Sequence, residues 1–579
     1  MKNKKALLKR VLGYIFKYKI SVIIILLMSI FEALINVFSP KIAGKGITAL
    51  SMTDSLGRPN IDLDYVFKLL AFLLVLYSLN GLFSCVGKFL FTDISVKIIR
   101  RLRGEVSKKM NVVSFEFLQK KSKGEVISCM LSDVNALGSV FIESTRSLIS
   151  SVIIFFGTVY MMISLSFEIS LWCFAFFPFM IGLILFITVK SQKYYVSYRE
   201  NFAKISSLAE EAFSGYETIK VLKAESGFKK SFDLTNKNLR EDAFKSETMS
   251  GLMAPIMTFI SKALYVVCCA VGGYFSVVKG FAIGDITAFI AYSGQFMNPF
   301  MELAGIFGNF QSAFAAAQRV FEFLDAPEEK TGGEKPDFKG AGIEFKNVSF
   351  EYEKGKEVIK NLSFKILPGQ TAAIVGKTGG GKTTVSRLLM RLYESYSGEI
   401  LIGNNKNIKD FDINAYRGLF GVVTQDSWLF SASVIENIRY GNTKISDDEI
   451  KFACEKIGAA SFIEALPEGY NTILKEGINN ISEGQKQLLC IARALVSNRE
   501  ILVLDEATAS VDVFTESKVQ SALKTLLKGR TSVIIAHRLS TIKEADVIFV
   551  LEKGRLVESG KHEDLISKRG VYYEMQCKA

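Results

Sequence analysis

The sequence predicts a two-part membrane protein, an N-terminal all-α domain of six spanning helices followed by a C-terminal α/β domain. Six apolar runs between residues 20 and 300 each approach the length a bilayer requires. From about residue 341 onward, short strand-like runs alternate with helical ones, as in an α/β domain. Inside that alternation lies a glycine-rich loop, residues 376–383, reading Gly-Lys-Thr-Gly-Gly-Gly-Lys-Thr. A chain of 579 residues is too long for one core, and 49% apolar residues with 46 Phe is unusual for a wholly soluble protein.

Residues 1–19 are basic, with Leu8, Val11, Leu12, Ile15 and Phe16 at helical spacing. That pattern suits an amphipathic elbow helix lying along the membrane surface. A cleaved signal peptide fits less well, because the following apolar run is too long and no small-residue cleavage site is evident.

The apolar runs fall at residues 20–37, 65–86, 148–166, 169–189, 252–277 and 281–300. The first link is polar, and the third-to-fourth and fifth-to-sixth links are only a few residues long. The remaining two are long and basic. One carries Lys97, Arg100, Arg101, Arg103, Lys108, Lys109, Lys120, Lys121 and Lys123; the other carries Lys190, Lys193, Arg199, Lys204, Lys220, Lys223, Lys229 and Lys230. With the basic N-terminus, these links place both termini in the cytosol of a cell with this protein in its cytoplasmic (plasma) membrane. The net charge of +13 is thereby assigned to topology, and no nucleic-acid partner is expected.

Residues 94–110 and 203–221 keep apolar positions three and four apart, so spans are expected to protrude well into the cytosol. A polar, turn-rich segment starts at Ala326-Pro327 and marks a linker. The expected organisation is 1–19 elbow helix, 20–325 spanning domain, 326–340 linker and 341–579 nucleotide domain. Of eight cysteines, Cys85, Cys173, Cys268 and Cys269 lie in apolar runs, and no C-x-x-C pair exists. Neither a disulfide nor a zinc site is expected. Glu32, Lys262 and Glu302 are ionisable residues within spans, where charge is costly and usually paired or facing a cavity. Lys262 and Glu302 lie at similar distances from the turn near Phe281, so they are expected to share a depth, as a polar spot in a transport path or as a buried ion pair.

The loop at 376–383 follows the buried run 371–375 and precedes the helical run 384–390, the order of the phosphate-binding G-x-x-x-x-G-K-[ST] motif. Gly376, Lys377, Thr378, Gly379, Gly380 and Gly381 let backbone N–H groups wrap anionic oxygens at a helix N-terminus. Lys382 reaches the β- and γ-phosphates of ATP, the Thr383 hydroxyl takes a place on Mg²⁺, and Thr384 follows within the same cradle. Such a site also needs a carboxylate for the metal and a group to orient water. The buried run 501–504 ends in Asp505-Glu506, so Asp505 suits the metal and Glu506 suits the general base. His537 follows the core run 531–536 and is placed to hold the hydrolytic water, whereas His562 reads as a surface residue. The C-terminal fold class is thus an α/β P-loop NTPase.

The segment Ile481-Ser482-Glu483-Gly484-Gln485 resembles the signature of ABC transporter ATPases, usually LSGGQ. Gln425 looks like the Q-loop glutamine, Ser510-Val511-Asp512 looks like the D-loop, and Tyr352 sits where such domains stack an aromatic ring on adenine. The whole chain resembles an ABC exporter half-transporter, similar to bacterial multidrug and lipid exporters. That resemblance implies an ATPase coupled to export of a hydrophobic or amphipathic molecule; a peptide exporter and a regulatory membrane ATPase without cargo are the alternatives.

The resemblance also implies that two subunits sandwich ATP. Ser482, Gly484, Gln485 and Asp512 then serve the partner's nucleotide, while Gln425 joins the metal and water at its own. Helices near residues 114–121 and 215–222 pass the motion to the spans. Glu483 departs from the signature by replacing its second glycine. Like charges a few ångströms apart cost about 1–4 kcal/mol, so the site receiving this signature is expected to be weakened. A heterodimer with a second half-transporter is favoured over the homodimer commoner among oligomers.

Overall fold

A computed structural model of the chain describes residues 2–51, 62–175, 177–335, 342–403, 405–425, 427–440, 442, 444–475, 481–505, 513–535 and 542–577. Two units emerge from the contacts: Met1–Lys109 with Lys123–Asp325, and Met110–Ser122 with Ala326–Ala579.

Among the described residues, the regular elements of the first unit are all helices. It comprises α1 (Lys2–Phe16), α2 (Lys19–Leu50), α3 (Leu63–Met110), α5 (Lys123–Ser128), α6 (Val134–Leu165), α7 (Phe167–Ala175), α8 (Phe177–Ser214), α9 (Tyr216–Val221), α10 (Glu225–Gly251), α11 (Met253–Lys279) and α12 (Ile283–Leu324), with α4 (Phe115–Gln119) assigned to the second unit. Four stretches are long and apolar enough to cross a membrane among the described residues: Lys19–Leu50, Leu63–Met110, Lys123–Leu165 and Glu225–Lys279. These hold the first, second, third and fifth expected spans. The fourth falls across α7 and α8 on either side of residue 176. The sixth lies in α12, where Asp285, Ser293, Gln295, Asn298 and Glu302 dilute the apolar character.

Helix α3 runs for 48 residues. At 1.5 Å per residue it is about 72 Å long, more than twice a hydrocarbon core of about 30 Å. Its apolar half leaves Leu70, Phe72, Leu74, Leu82 and Phe89 exposed, the surface expected of a lipid-facing helix. Helices α2, α6 and α12 pack on one another. A Cβ at Gly284 would fall 1.7 Å from the Gly44 carbonyl oxygen, so α2 and α12 touch backbone to backbone.

Polar contacts fix the ends of these helices. Arg319 on α12 grips Asp133 with two hydrogen bonds of 2.6 and 2.8 Å at the π-turn Cys129–Asp133 before α6. Arg10 on α1 bonds Asp325 at 2.5 Å and lies 4.4 Å over the Phe321 ring. Tyr14, also on α1, donates to Glu105 of α3. The amphipathic stretch at the N-terminus is therefore a helix pinned to both α3 and the end of α12.

Lys262 and Glu302 do not pair. Glu302 accepts from Ser151 of α6, while the Lys262 ammonium sits 6.0 Å over the Tyr265 ring on its own helix α11. Distance from the turn placed them at one depth, but helical phase turns Glu302 toward α6.

The second unit is built on two sheets. Strands β1 (Ile343–Glu351), β2 (Glu357–Ile366), β4 (Tyr396–Ile402) and β5 (Lys406–Asn407) form an antiparallel sheet in the order β2-β1-β4-β5. Strands β3 (Thr371–Gly376), β6 (Phe420–Val423), β7 (Ile501–Asp505), β8 (Thr531–Ile535), β9 (Val547–Glu552) and β10 (Arg555–Gly560) form the second, ordered β10-β9-β3-β8-β7-β6 and parallel except at β10. The parallel strands are almost wholly buried, so they read as continuous apolar runs rather than alternating ones. The helices are α13 (Lys382–Leu389), α14 (Ile413–Arg417), α15 (Val434–Arg439), α16 (Asp447–Lys456), α17 (Ala460–Glu464), α18 (Glu483–Ser497) and α19 (Val513–Leu527), with two short ones closing the chain.

Candidate nucleotide site

The site forms at the carboxyl ends of β3, β8, β7 and β6, where open parallel sheets place ligands. Strand β3 delivers the chain into the loop at Gly376, and α13 leaves it at Lys382. The loop is crowded from outside. A Cβ at Gly376 would lie 2.3 Å from the Leu551 carbonyl oxygen, and one at Gly381 would lie 2.6 Å from Ile359 Cδ1. Gly381 also caps α13 with φ of 96°, a conformation that favours glycine. Lys382 is nearly buried, and its Nζ donates to the Gly376 and Lys377 carbonyls at 2.7 and 3.1 Å. Its ammonium is thus held inside the ring of backbone that would surround a phosphate.

Lys377, Thr378, Gly379 and Thr383 are exposed, whereas Gly380 and Thr384 are buried. The Thr384 hydroxyl lies 3.0 Å from the Tyr352 hydroxyl. Tyr352 packs edge-on to Phe350 and Tyr393, with centroids 4.8 and 5.3 Å away. Burial pushes the Tyr393 phenol above its ordinary range. These rings line a cleft of about 440 Å³ with Glu116, Gln119, Glu351, Arg387 and Ser395.

Asp505 ends β7 and pairs in register with Ile535 of β8, which in turn pairs with Ile374 of β3. The carboxylate therefore emerges level with the start of the loop. Gln425 stands two residues beyond the end of β6, the strand beside β7. A threonine hydroxyl, an aspartate and a glutamine are the hard oxygen donors that Mg²⁺ prefers. Glu506, His537 and Asp512 lie outside the described residues.

The signature occupies a different element. Ser482 caps α18: its hydroxyl accepts from the Gln485 backbone N–H at 3.3 Å, and the Gln485 side chain accepts from the Ser482 N–H at 2.8 Å. Gly484 is buried in the first turn. Glu483 is 57% exposed and ion-pairs with Lys486 at 2.5 Å, one turn along the same helix.

Three features escaped sequence reasoning. Arg493 on α18 donates to the Asn437 and Trp428 carbonyls at 2.8 and 3.1 Å, joining the signature helix to the segment after Gln425. Burial holds this guanidinium below its ordinary value. Arg417 grips Glu329 with two bonds of 2.8 Å, anchoring the chain just after Ala326. Finally, α4 packs within the second unit: Phe115 meets Tyr393 edge-on at 5.7 Å, and Ser395 donates to Glu116 at 3.3 Å. Nothing in the motif spacing encodes these contacts, since each joins segments far apart in sequence.

The family described as ABC transporter transmembrane region matches residues 22–300, and that described as ABC transporter matches residues 359–509. The uncharacterized ABC transporter ATP-binding protein YfiC of Bacillus subtilis is 36% identical over 99% of this chain and 94% of its own length. The chain belongs to the ABC transporter family. Other ABC transporter relatives include a fatty acid ABC transporter ATP-binding/permease protein of Mycobacterium tuberculosis, 36% identical over 89% of this chain and 82% of its own length. The ATP-dependent lipid A-core flippase of Syntrophus aciditrophicus is 33% identical over 87% of this chain and 84% of its own. A bacterial Atm1-family ABC exporter solved with ATP bound superposes with a TM-score of 0.75 at 27% identity, covering 97% of this chain and 98% of that one. This ABC transporter is thus a multi-pass membrane protein of exporter type that couples ATP hydrolysis to transport.

Proposed function

We propose that this chain is one half of a heterodimeric exporter that moves a hydrophobic or amphipathic small molecule, drug-like or lipid, across the cytoplasmic membrane. Both termini face the cytosol in this reading. The observation that carries it is the asymmetry between the two nucleotide-binding ends: a glycine cradle with Lys382 seated in it, and a signature carrying Glu483. Each chain contributes one of each, and a partner with an ordinary signature would complete the site on this chain's cradle.

In that site Tyr352 stacks on adenine, residues 376–384 hold the phosphates, and Lys382 balances charge at the β- and γ-positions. Thr383, Asp505 and Gln425 would hold Mg²⁺, which neutralises phosphate charge when bound. Glu506 takes the proton from water, with His537 and Gln425 positioning that water. Ser482, Gly484, Gln485 and Asp512 face the partner's nucleotide. Helices α4 and α9 link nucleotide closure to the spans; around α9 the apolar residues Phe213, Tyr216, Val221 and Leu222 are exposed, as a helix awaiting a second subunit would leave them. Two relatives named for a fatty acid and for lipid A-core favour a lipid-like cargo over a peptide.

ATPase measurements on the purified chain, alone and co-purified with a second half-transporter, test the pairing. Activity that rises at least tenfold with the partner supports it. Brisk turnover by the chain alone sinks the heterodimer.

A further inference from the structure

Helices α2, α3, α6 and α12 hold a band of polar side chains inside an otherwise apolar bundle. At one level the Tyr292 hydroxyl donates to the Val37 carbonyl at 2.7 Å, and Gln295 Nε2 donates to the Asn36 carbonyl at 3.1 Å. Asn80 Nδ2 donates to Asn36 Oδ1 at 3.3 Å. Gly157 abuts Val37, which sets Thr158 at this level too. A second level lies two helical turns away, about 10.5 Å along the axis. There Ser151 donates to Glu302, and Arg146 stands 3.7 Å from Glu32 and 3.0 Å from Glu143.

The two levels share stripes. Residues 151 and 158 are seven apart on α6, as are 295 and 302 on α12, so each pair lies on one helical face. Because Ser151 meets Glu302, Thr158 is turned toward the side of α12 that carries Gln295.

At the first level Asn80 Oδ1, Gln295 Oε1 and Thr158 Oγ1 are buried and have no hydrogen-bond partner among the described residues. Thr158 is 0% exposed. Leaving such an atom unpaired costs about 1–3 kcal/mol. Helical hydroxyls ordinarily escape that cost by bonding the carbonyl one turn back, as Ser29, Ser39 and Thr258 do here. Thr158 does not. At the second level the Arg146 guanidinium meets Glu32 and Glu143, with Glu302 near enough to act on it electrostatically, so three carboxyl groups gather around one guanidinium. The stripe as a whole offers acceptor oxygens and negative charge.

We propose that this stripe binds the polar head of the transported molecule, and that the head is an N–H donor carrying positive charge, a primary ammonium or guanidinium on an apolar tail. This rests on the export reading above and specifies its cargo. Donors on the head satisfy the orphan Asn80 and Gln295 amide oxygens, the Thr158 hydroxyl can accept from the same head, and the positive charge balances the surplus carboxylates. The Phe155–Phe296 stack beside Gln295, with centroids 5.5 Å apart, gives the tail an apolar surface. A carboxylate or phosphate head would meet acceptors and like charge instead. The cargo therefore differs in headgroup from that of the fatty-acid relative.

The test is saturable binding of dodecylammonium, dodecanoate and dodecanol to the full chain in lipid nanodiscs without ATP, against empty nanodiscs. Dodecylammonium is expected to bind saturably and dodecanoate to remain at background. Glu302→Gln is expected to weaken dodecylammonium at least tenfold, and Gln295→Glu to strengthen it severalfold, a gain that a misfolded variant cannot produce. Equal binding of dodecanoate and dodecylammonium, no saturable binding of any probe, or unchanged affinity in both variants would overturn the proposal. Saturable amine binding without ATP-driven movement into vesicles removes the export reading and keeps the site. ATP-driven movement of dodecanoate alone does the reverse.

Discussion

The two ends of the nucleotide machinery contrast sharply within one chain. The cradle after β3 is closed around its own lysine, with Leu551 and Ile359 pressed against it so that only glycine fits. The signature at the start of α18 spends its serine and glutamine on capping its own helix and turns a salt-bridged glutamate outward. In the proposed dimer, one end seizes a phosphate in place and the other meets a phosphate held by the partner. The cradle and the signature sit on different elements, so changes at the two ends should have separable effects.

The largest effect is expected at the cradle end. Glu506→Gln should retain ATP binding and lose turnover by about 10²–10⁴-fold, the range of a general base. Single-turnover hydrolysis with the partner present measures it, and unchanged turnover removes Glu506 from its role. A smaller effect belongs to the signature end. Glu483→Gly should tighten ATP at the site this signature serves by about fivefold, because the carboxylate is largely exposed and shared with Lys486. Lys486→Met should loosen it by unmasking the charge; equal effects from both changes would erase the contrast between the ends.

The smallest effect on chemistry, though costly in stability, is expected where the ends are joined. Asn437 is buried and bonds Phe430, Ala432 and Ser433 as well as Arg493. Asn437→Ala should destabilise the C-terminal unit by about 2–3 kcal/mol, read from denaturant unfolding, while ATP affinity changes less than twofold.

The nucleotide cradle was legible because its chemistry is local: strand, loop and helix are contiguous, and each residue type answers a phosphate. The spans were legible by apolar length, although α12 hid part of its character behind the polar residues of its stripe. The pairing of Glu302 was not legible. Depth can be counted from a turn, but the face a helix presents depends on its neighbours, here α6 rather than α11. Arg493, Arg417 and Phe115 stayed hidden for the same reason, since each finds its partner across a gap that no periodicity spans.

The short helix between α3 and α5 has a consequence for how the chain can be divided. Residues Met110–Ser122 belong with the C-terminal unit, so the polypeptide passes from one unit to the other three times rather than once. A fragment beginning at Ala326 would leave Tyr393 without the ring that covers it and Pro327 and Glu329 without their β-like neighbours Val112 to Ser114. The ATPase unit thus includes a patch encoded ahead of α5, and a cut before Ala326 would yield a sticky, incomplete engine rather than a free-standing one.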